Sequence, residues 1–219
     1  MTAPYYQDDQ VTLYLGDCLE ITEWLTADVL VTDPPYGIAW CMGQNKRTWT
    51  KAHEGITNDH DTTARDTALQ QWGPDKPSIV FGSFRACRPV DVKQTLIWKK
   101  PIDTGVVGST TGYRNDTELI FLRGPHIRRT AMRSSVLESH CGSSRYRTEH
   151  PHSKPVAILE QLIEWTEGTI ADPFAGSGST LVAARNLGRK AIGVEIEERY
   201  CEIVAKRLDQ LAFDFGDHQ

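Results

Sequence analysis

The sequence predicts an α/β fold with a largely parallel sheet and helices on both faces. Three observations predict it. Strand-like and helix-like segments alternate along most of the chain. A glycine-rich turn joins a strand to a helix in the C-terminal third, and Asp33-Pro34-Pro35-Tyr36 closes a strand near the N-terminus. The chain's 219 residues suffice for one sizeable core, so 1–219 reads as a single domain.

Taken in order, strands are expected over 11–15, 28–32, 78–81, 95–98, 117–122, 169–171 and 190–194. Each is a short, β-branched-rich run closed by turn residues. Helices are expected between many of them, over 19–25, 63–72, 155–165, 179–187 and 197–211. Within 155–165, Val156, Leu159, Leu162, Ile163 and Trp165 form a broad apolar stripe at helical spacing, which reads as core contact. Two long stretches, 37–61 and 123–152, show no period. Loops longer than about 15 residues are usually functional or disordered, so both are expected to meet substrate.

Composition narrows the function classes. Hydrophobic residues make up 39 % and charged residues 24 %, as in ordinary globular chains, and no run reaches the roughly 18 apolar residues of a membrane span. The polar, acidic N-terminus is unlike a secretory signal. Five cysteines, at 18, 41, 87, 141 and 201, form no C-x-x-C pair and read as reduced thiols of a cytoplasmic protein. His140, Cys141, His150 and His152 match no zinc spacing, so no metal is expected. The net charge of −5 is unevenly spread. Residues 85–154 carry 13 Lys/Arg against 6 Asp/Glu, whereas the rest carries 11 against 23. A basic middle fits either a face turned toward phosphates or an ordinary solvated face.

Gly176 and Gly178 permit a tight turn and close approach of a ligand, and the amides that open the next helix suit an anionic group. Glu195 ends the following strand, about 20 residues on, where an acidic side chain can take two ribose hydroxyls. The turn lacks the third glycine of a dinucleotide fingerprint and the Gly-Lys-Ser/Thr of a P-loop. S-adenosylmethionine fits what remains. In the second motif, two prolines fix the backbone and remove donors. The Asp33 carboxylate and the Pro34 carbonyl can then both accept from an aromatic NH₂, drawing its lone pair out of conjugation. Tyr36 offers a flat face for a base removed from its stack.

On these motifs the chain resembles the family of DNA amino-methyltransferases that modify adenine N6 or cytosine N4. The order, catalytic tetrapeptide first and cofactor turn last, resembles its β group: a circularly permuted Rossmann-like S-adenosylmethionine-dependent methyltransferase fold. VTDPPYG at 31–37 is similar to the catalytic motif, with Asp33, Pro34, Pro35 and Tyr36 as its working residues. LGDCLE at 15–20 is similar to the segment whose acid contacts the cofactor adenine, which implies Asp17 and Cys18. DPFAGSG at 172–178 is similar to the cofactor motif. It implies contacts from Asp172, Pro173, Phe174, Ala175, Gly176, Ser177 and Gly178, continuing into Ser179 and Thr180. GVEI at 193–196 implies Glu195 and Ile196, and HPHSKP at 150–155 implies Lys154 near the methionine part; Asp33 adjoins the cofactor as well. LIWKKP at 96–101 and ELIFLRG at 118–124 resemble two structural strands of the target half.

The resemblance implies direct methyl transfer to the amine of an extruded base in double-stranded DNA, with adenine N6 favoured by Asp ahead of the prolines. Cytosine N4, an RNA or protein amine, and an inactive DNA-binding module are the alternatives. A cytosine-C5 enzyme commonly carries Pro-Cys, and none occurs. Phosphate contact is expected from Lys46, Arg47 and Lys51, beside Trp40 and Trp49, and from Arg128, Arg129, Arg133, Arg145 and Arg147. Relatives often carry a long target-recognition region where this chain has only 124–149. A short recognition loop, a partner chain or a homodimer would each meet that need.

Overall fold

The computed structural model describes residues 2–38, 59–101, 112–125, 132–139 and 153–214. Lys46, Arg47, Lys51, Arg128, Arg129, Arg145 and Arg147 lie outside the described residues, as do Trp40, Trp49, His140, Cys141, His150 and His152.

Among the described residues, nine strands form one sheet: β1 (Tyr6–Gln7), β2 (Val11–Leu15), β3 (Val29–Thr32), β4 (Ser78–Gly82), β5 (Val92–Lys99), β6 (Thr117–Arg123), β7 (Val136–Glu138), β8 (Ile170–Asp172) and β9 (Ala191–Glu195). Their order is β1-β2-β9-β8-β3-β4-β6-β5-β7. The five strands from β2 to β4 are mutually parallel. β6 runs antiparallel to β4 and β5, and β1 runs antiparallel to β2. Every residue of β3, β4 and β8 is buried, as expected of parallel strands covered on both faces.

Among the described residues, four helices supply the cover: α1 (Thr63–Trp72), α2 (Val156–Ile163), α3 (Ser179–Asn186) and α4 (Glu198–Asp214). Alternate strand residues decide which face each one serves. Val29, Val31, Ile79 and Phe81 pack with Ile158, Leu181 and Val204 of α2, α3 and α4. Leu30 and Val80 pack with Leu69 and Trp72 of α1.

The expected helix over 19–25 does not form. Asp17 Oδ1 accepts the Leu19 amide at 2.9 Å, and the Asp17 carbonyl accepts the amides of Glu20 and Ile21. Such a side-chain capture competes with helical hydrogen bonds. The segment instead makes one 3₁₀ turn, Glu23–Thr26, pinned by Trp24, which stacks on Trp72 at 5.8 Å and donates Nε1 to the Cys18 carbonyl. β1 and β7 are additions at the sheet's two edges, too short to show a period. β5 begins three residues earlier than expected and holds a bulge between Val92 and Gln94.

The order fixes where a ligand can sit. From β8 the chain crosses through α3 to β9 on one side; from β3 it crosses through α1 to β4 on the other. The neighbours β8 and β3 therefore flank a topological switch point, where a crevice opens beyond the carboxyl ends of the strands. Both sequence motifs leave the sheet there.

Candidate active site

Asp33 follows the last residue of β3. Its Oδ1 accepts the Tyr36 hydroxyl at 2.6 Å and its Oδ2 accepts Lys154 Nζ at 2.6 Å. Lys154 lies just ahead of α2 and is nearly buried, with its ammonium over the rings of Phe81 and Tyr36 at 5.3 and 5.6 Å. Its second carboxylate is Glu118 of β6, at 3.3 Å, and Glu118 in turn pairs with Lys100 at 2.6 Å. Two acids and two ammonium groups thus alternate, so the buried charges compensate one another. Burial opposes charge on Lys154, yet Asp33 and Glu118 hold its pKa above the ordinary lysine value. Burial likewise opposes charge on Glu118, but Lys154 and Lys100 bring its pKa below the usual carboxylate value. Burial, then Asp33 and Glu118, push the Tyr36 phenol well up, so it stays a donor.

The tetrapeptide is held at its far end too. Pro34 is buried. Gly37 has φ of 70°, and a Cβ there would lie 2.5 Å from the Asp61 backbone. Its amide donates to the buried Asp59 at 2.8 Å.

On the β8 side, Asp172 is 2 % exposed. Thr32 Oγ1 donates to it at 2.7 Å, so a hydrogen bond joins the two motif-bearing strands directly. Burial raises the Asp172 pKa to about 7 against the pull of hydrogen bonds from Thr180, Thr32 and the Phe174 amide. Pro173 and Ala175 are buried, and Ala175 donates its amide to the Val194 carbonyl. Glu195 Oε2 accepts the Gly176 amide at 2.7 Å and Oε1 the Glu197 amide at 2.9 Å. Burial raises its pKa, countered by those amides. The carboxylate thus clamps the turn to the end of β9 while each oxygen keeps a further lone pair. Asp17 stands beside it, since Leu15 and Glu195 are paired and Gly16 donates to the Glu195 carbonyl. Cys18 is buried and its thiol is pushed up to about 12 by burial and by Asp17, which makes it unreactive. Ile196 is 43 % exposed at the same edge.

The structure brings Asp17, Asp33, Tyr36, Lys154, the 172–180 turn and Glu195 to one edge. It sets Lys154 on Asp33, a contact the sequence does not suggest. Arg133 is elsewhere: its guanidinium pairs with Glu164 at 3.0 Å and lies over Trp165 at 4.9 Å, past the end of α2 and toward the amino ends of the parallel strands. Glu118, Lys100, Asp59, Ser153 and Arg207 touch these residues, and sequence reasoning misses them. Ser153 bonds the hydroxyls of Ser177 and Ser179, and Arg207 of α4 donates to the Ser177 carbonyl. The one sequence signal for Glu118 and Lys100 is their presence in ELIFLRG and LIWKKP, segments that carry charge beside β-branched runs.

This fold, with its crevice between two acid-ended strands, is that of the S-adenosylmethionine-dependent methyltransferases. The DNA methylase family model matches residues 43–206, and the chain belongs to that family, the N6/N4 amino-methyltransferases of DNA. Among similar proteins, Type II methyltransferase M2.LlaDCHI of Lactococcus lactis subsp. cremoris is 26 % identical over 253 residues, covering 96 % of this chain and 93 % of that one. Type II methyltransferase M.ScaI of Streptomyces caespitosus is 25 % identical over 270 residues, covering 94 % and 84 %. In fold, the chain is similar to PvuII DNA methyltransferase (cytosine-N4-specific), with TM-score 0.65, 16 % identity, and 93 % and 88 % of the two chains covered. It is also similar to M1.HpyAVI in its SAM complex, with TM-score 0.60, 22 % identity, and 90 % and 99 % covered. The family is S-adenosylmethionine-dependent. Among the described residues, no helix is long and apolar enough to cross a membrane.

Proposed function

We propose that this chain methylates the N6 amine of adenine in double-stranded DNA. The observation that carries the reading is Asp33, set at the switch point with Tyr36 on one oxygen and Lys154 on the other. Both oxygens keep acceptor capacity, so the carboxylate, with the Pro34 carbonyl, can take the two hydrogens of an exocyclic amine. That contact localises the nitrogen lone pair for attack. Tyr36, tethered through its hydroxyl, presents its ring to the extruded base.

The residues present fit the cofactor. A Cβ at Gly176 would meet nothing nearer than 4.0 Å, so space is open before the turn. Around it stand the acids Asp17 and Glu195 for hydroxyl and amine donors, and the hydroxyls of Ser177 and Ser179 for a carboxylate. S-adenosylmethionine supplies an electrophilic sulfonium methyl; the protein's part is to position and to exclude water. Phosphate contact is assigned to the basic residues of 37–61 and 124–149 other than Arg133, which pairs with Glu164 away from this edge, with 124–149 as a short recognition insertion. The relatives' description as Type II methyltransferases supports a role in restriction–modification.

The test is incubation with labelled cofactor and genomic DNA, RNA or protein, followed by digestion and mass identification. N6-methyladenine is expected. N4-methylcytosine would keep the chemistry and change the base, and label confined to RNA or protein would overturn the reading.

A further inference from the structure

Beyond β4, residues 83–91 return toward β5 without regular structure, yet they are tightly held. The Ala86 amide donates to the Ser83 carbonyl at 3.2 Å and the Arg85 amide to Ser83 Oγ at 3.1 Å. Two buried guanidinium groups, each on a residue 2 % exposed, reach the same segment: Arg65 donates to the Cys87 carbonyl at 2.8 Å and Arg123 to the Val90 carbonyl at 2.9 Å. Pro89 is buried, and Asp91 ends the loop at φ 59°, the only non-glycine residue with positive φ among the described residues. Burying guanidinium charge costs free energy, and here it fixes the shape of a surface loop.

What that loop displays is Phe84, 63 % exposed, followed by exposed Arg85. A second exposed aromatic–arginine pair, Tyr113-Arg114, precedes β6, with Tyr113 83 % exposed. β3, β4 and β6 are neighbours, with Thr32 opposite Val80 and Gly82 opposite Leu119. Both pairs therefore stand at the edge that carries Asp33 and Tyr36. Exposed aromatic rings leave apolar surface in water that a ligand can cover. Bases stack on such rings, and arginine takes phosphate oxygens in a fork.

We propose that Phe84-Arg85 and Tyr113-Arg114 form a DNA-contacting rim, in which the rings stack on bases beside the extruded one and the arginines hold flanking phosphates. Arg114, paired with Asp116 at 3.5 Å, exchanges that partner for phosphate. The proposal rests on DNA being the substrate.

The experiment measures full-length protein against a labelled mixed-sequence duplex and the matching single strand, by fluorescence anisotropy across a salt series. For Arg85→Gln with Arg114→Gln, the slope of log affinity against log salt on duplex should flatten by about 0.9 for each phosphate no longer neutralised. For Phe84→Ala with Tyr113→Ala, single-strand affinity should fall about tenfold at an unchanged slope. Phe84→Leu with Tyr113→Leu, which keep apolar bulk without a flat face, should lose affinity as the alanine double does. Doubles that bind both probes with wild-type affinity and slope, while the wild type methylates DNA, overturn the rim alone. A wild type that neither binds nor methylates DNA overturns the substrate reading as well.

Discussion

Glu118 lies in a strand that reads as structural, and its neighbours in the fold give it a further part. It shares Lys154 with Asp33; under the proposed function that sharing leaves the Asp33 carboxylate available to a target amine. Glu118→Gln removes one charge-assisted bond, worth roughly 1.5–3 kcal/mol. Single-turnover methylation should slow by about 10- to 100-fold, with cofactor affinity by calorimetry close to wild type; an unchanged rate would make Glu118 a packing residue. Glu195→Gln should behave in the opposite way. It weakens the clamp on the Gly176 amide and withdraws a charged acceptor, so cofactor affinity falls about tenfold or more. Wild-type affinity in that variant would free Glu195 of any cofactor role.

At the scale of the element, the β8–α3 turn separates two glycines that look alike in sequence. Gly178 has φ 77°, and a Cβ there would stand 2.8 Å from both methyls of Val204. Gly176 has φ 51° with open space before it. Gly178→Ala should therefore lower stability by roughly 2–4 kcal/mol, from overpacking and left-handed strain together. Gly176→Ala should cost only about 1 kcal/mol of strain while sharply reducing cofactor affinity. Thermal melts with and without cofactor separate the two. Equal destabilisation in both variants, with no difference in cofactor response, would mean that the space before Gly176 holds no ligand. The 19–25 segment makes the same point about elements: its apolar spacing suits a helix, but Asp17 and the Trp24 indole take the hydrogen bonds that a helix needs.

For the whole molecule, Asp172 links stability to pH. Its native pKa of about 7 exceeds the ordinary value of 3.8, so between about pH 4 and pH 7 the folded state binds more protons than the unfolded one. Its contribution therefore becomes increasingly unfavourable as pH rises through that window and is constant above it. Asp172→Asn keeps an acceptor for Thr32 and removes the charge. The melting temperature of the cofactor-free variant should rise relative to wild type from about pH 4 to pH 7; a constant difference would place the titration elsewhere. Much was already determined by the sequence alone. Alternating strands and helices specify the layered α/β class, because periodicity and turn chemistry are local. Asp33-Pro34-Pro35-Tyr36, the 172–178 turn and Glu195 were legible as motifs because residue type and short-range backbone shape are local, and the structure brings them to one edge. Only the tertiary structure decided what lies opposite what. Inserting β8 and β9 between β2 and β3 is a long-range pairing, and it alone sets Thr32 on Asp172 and opens the crevice. Lys154 meets Asp33 across 121 positions, and Glu118 and Lys100 reach the pair through the register of β5 on β6. Such charge pairings follow from which strands become neighbours, information that no single segment contains.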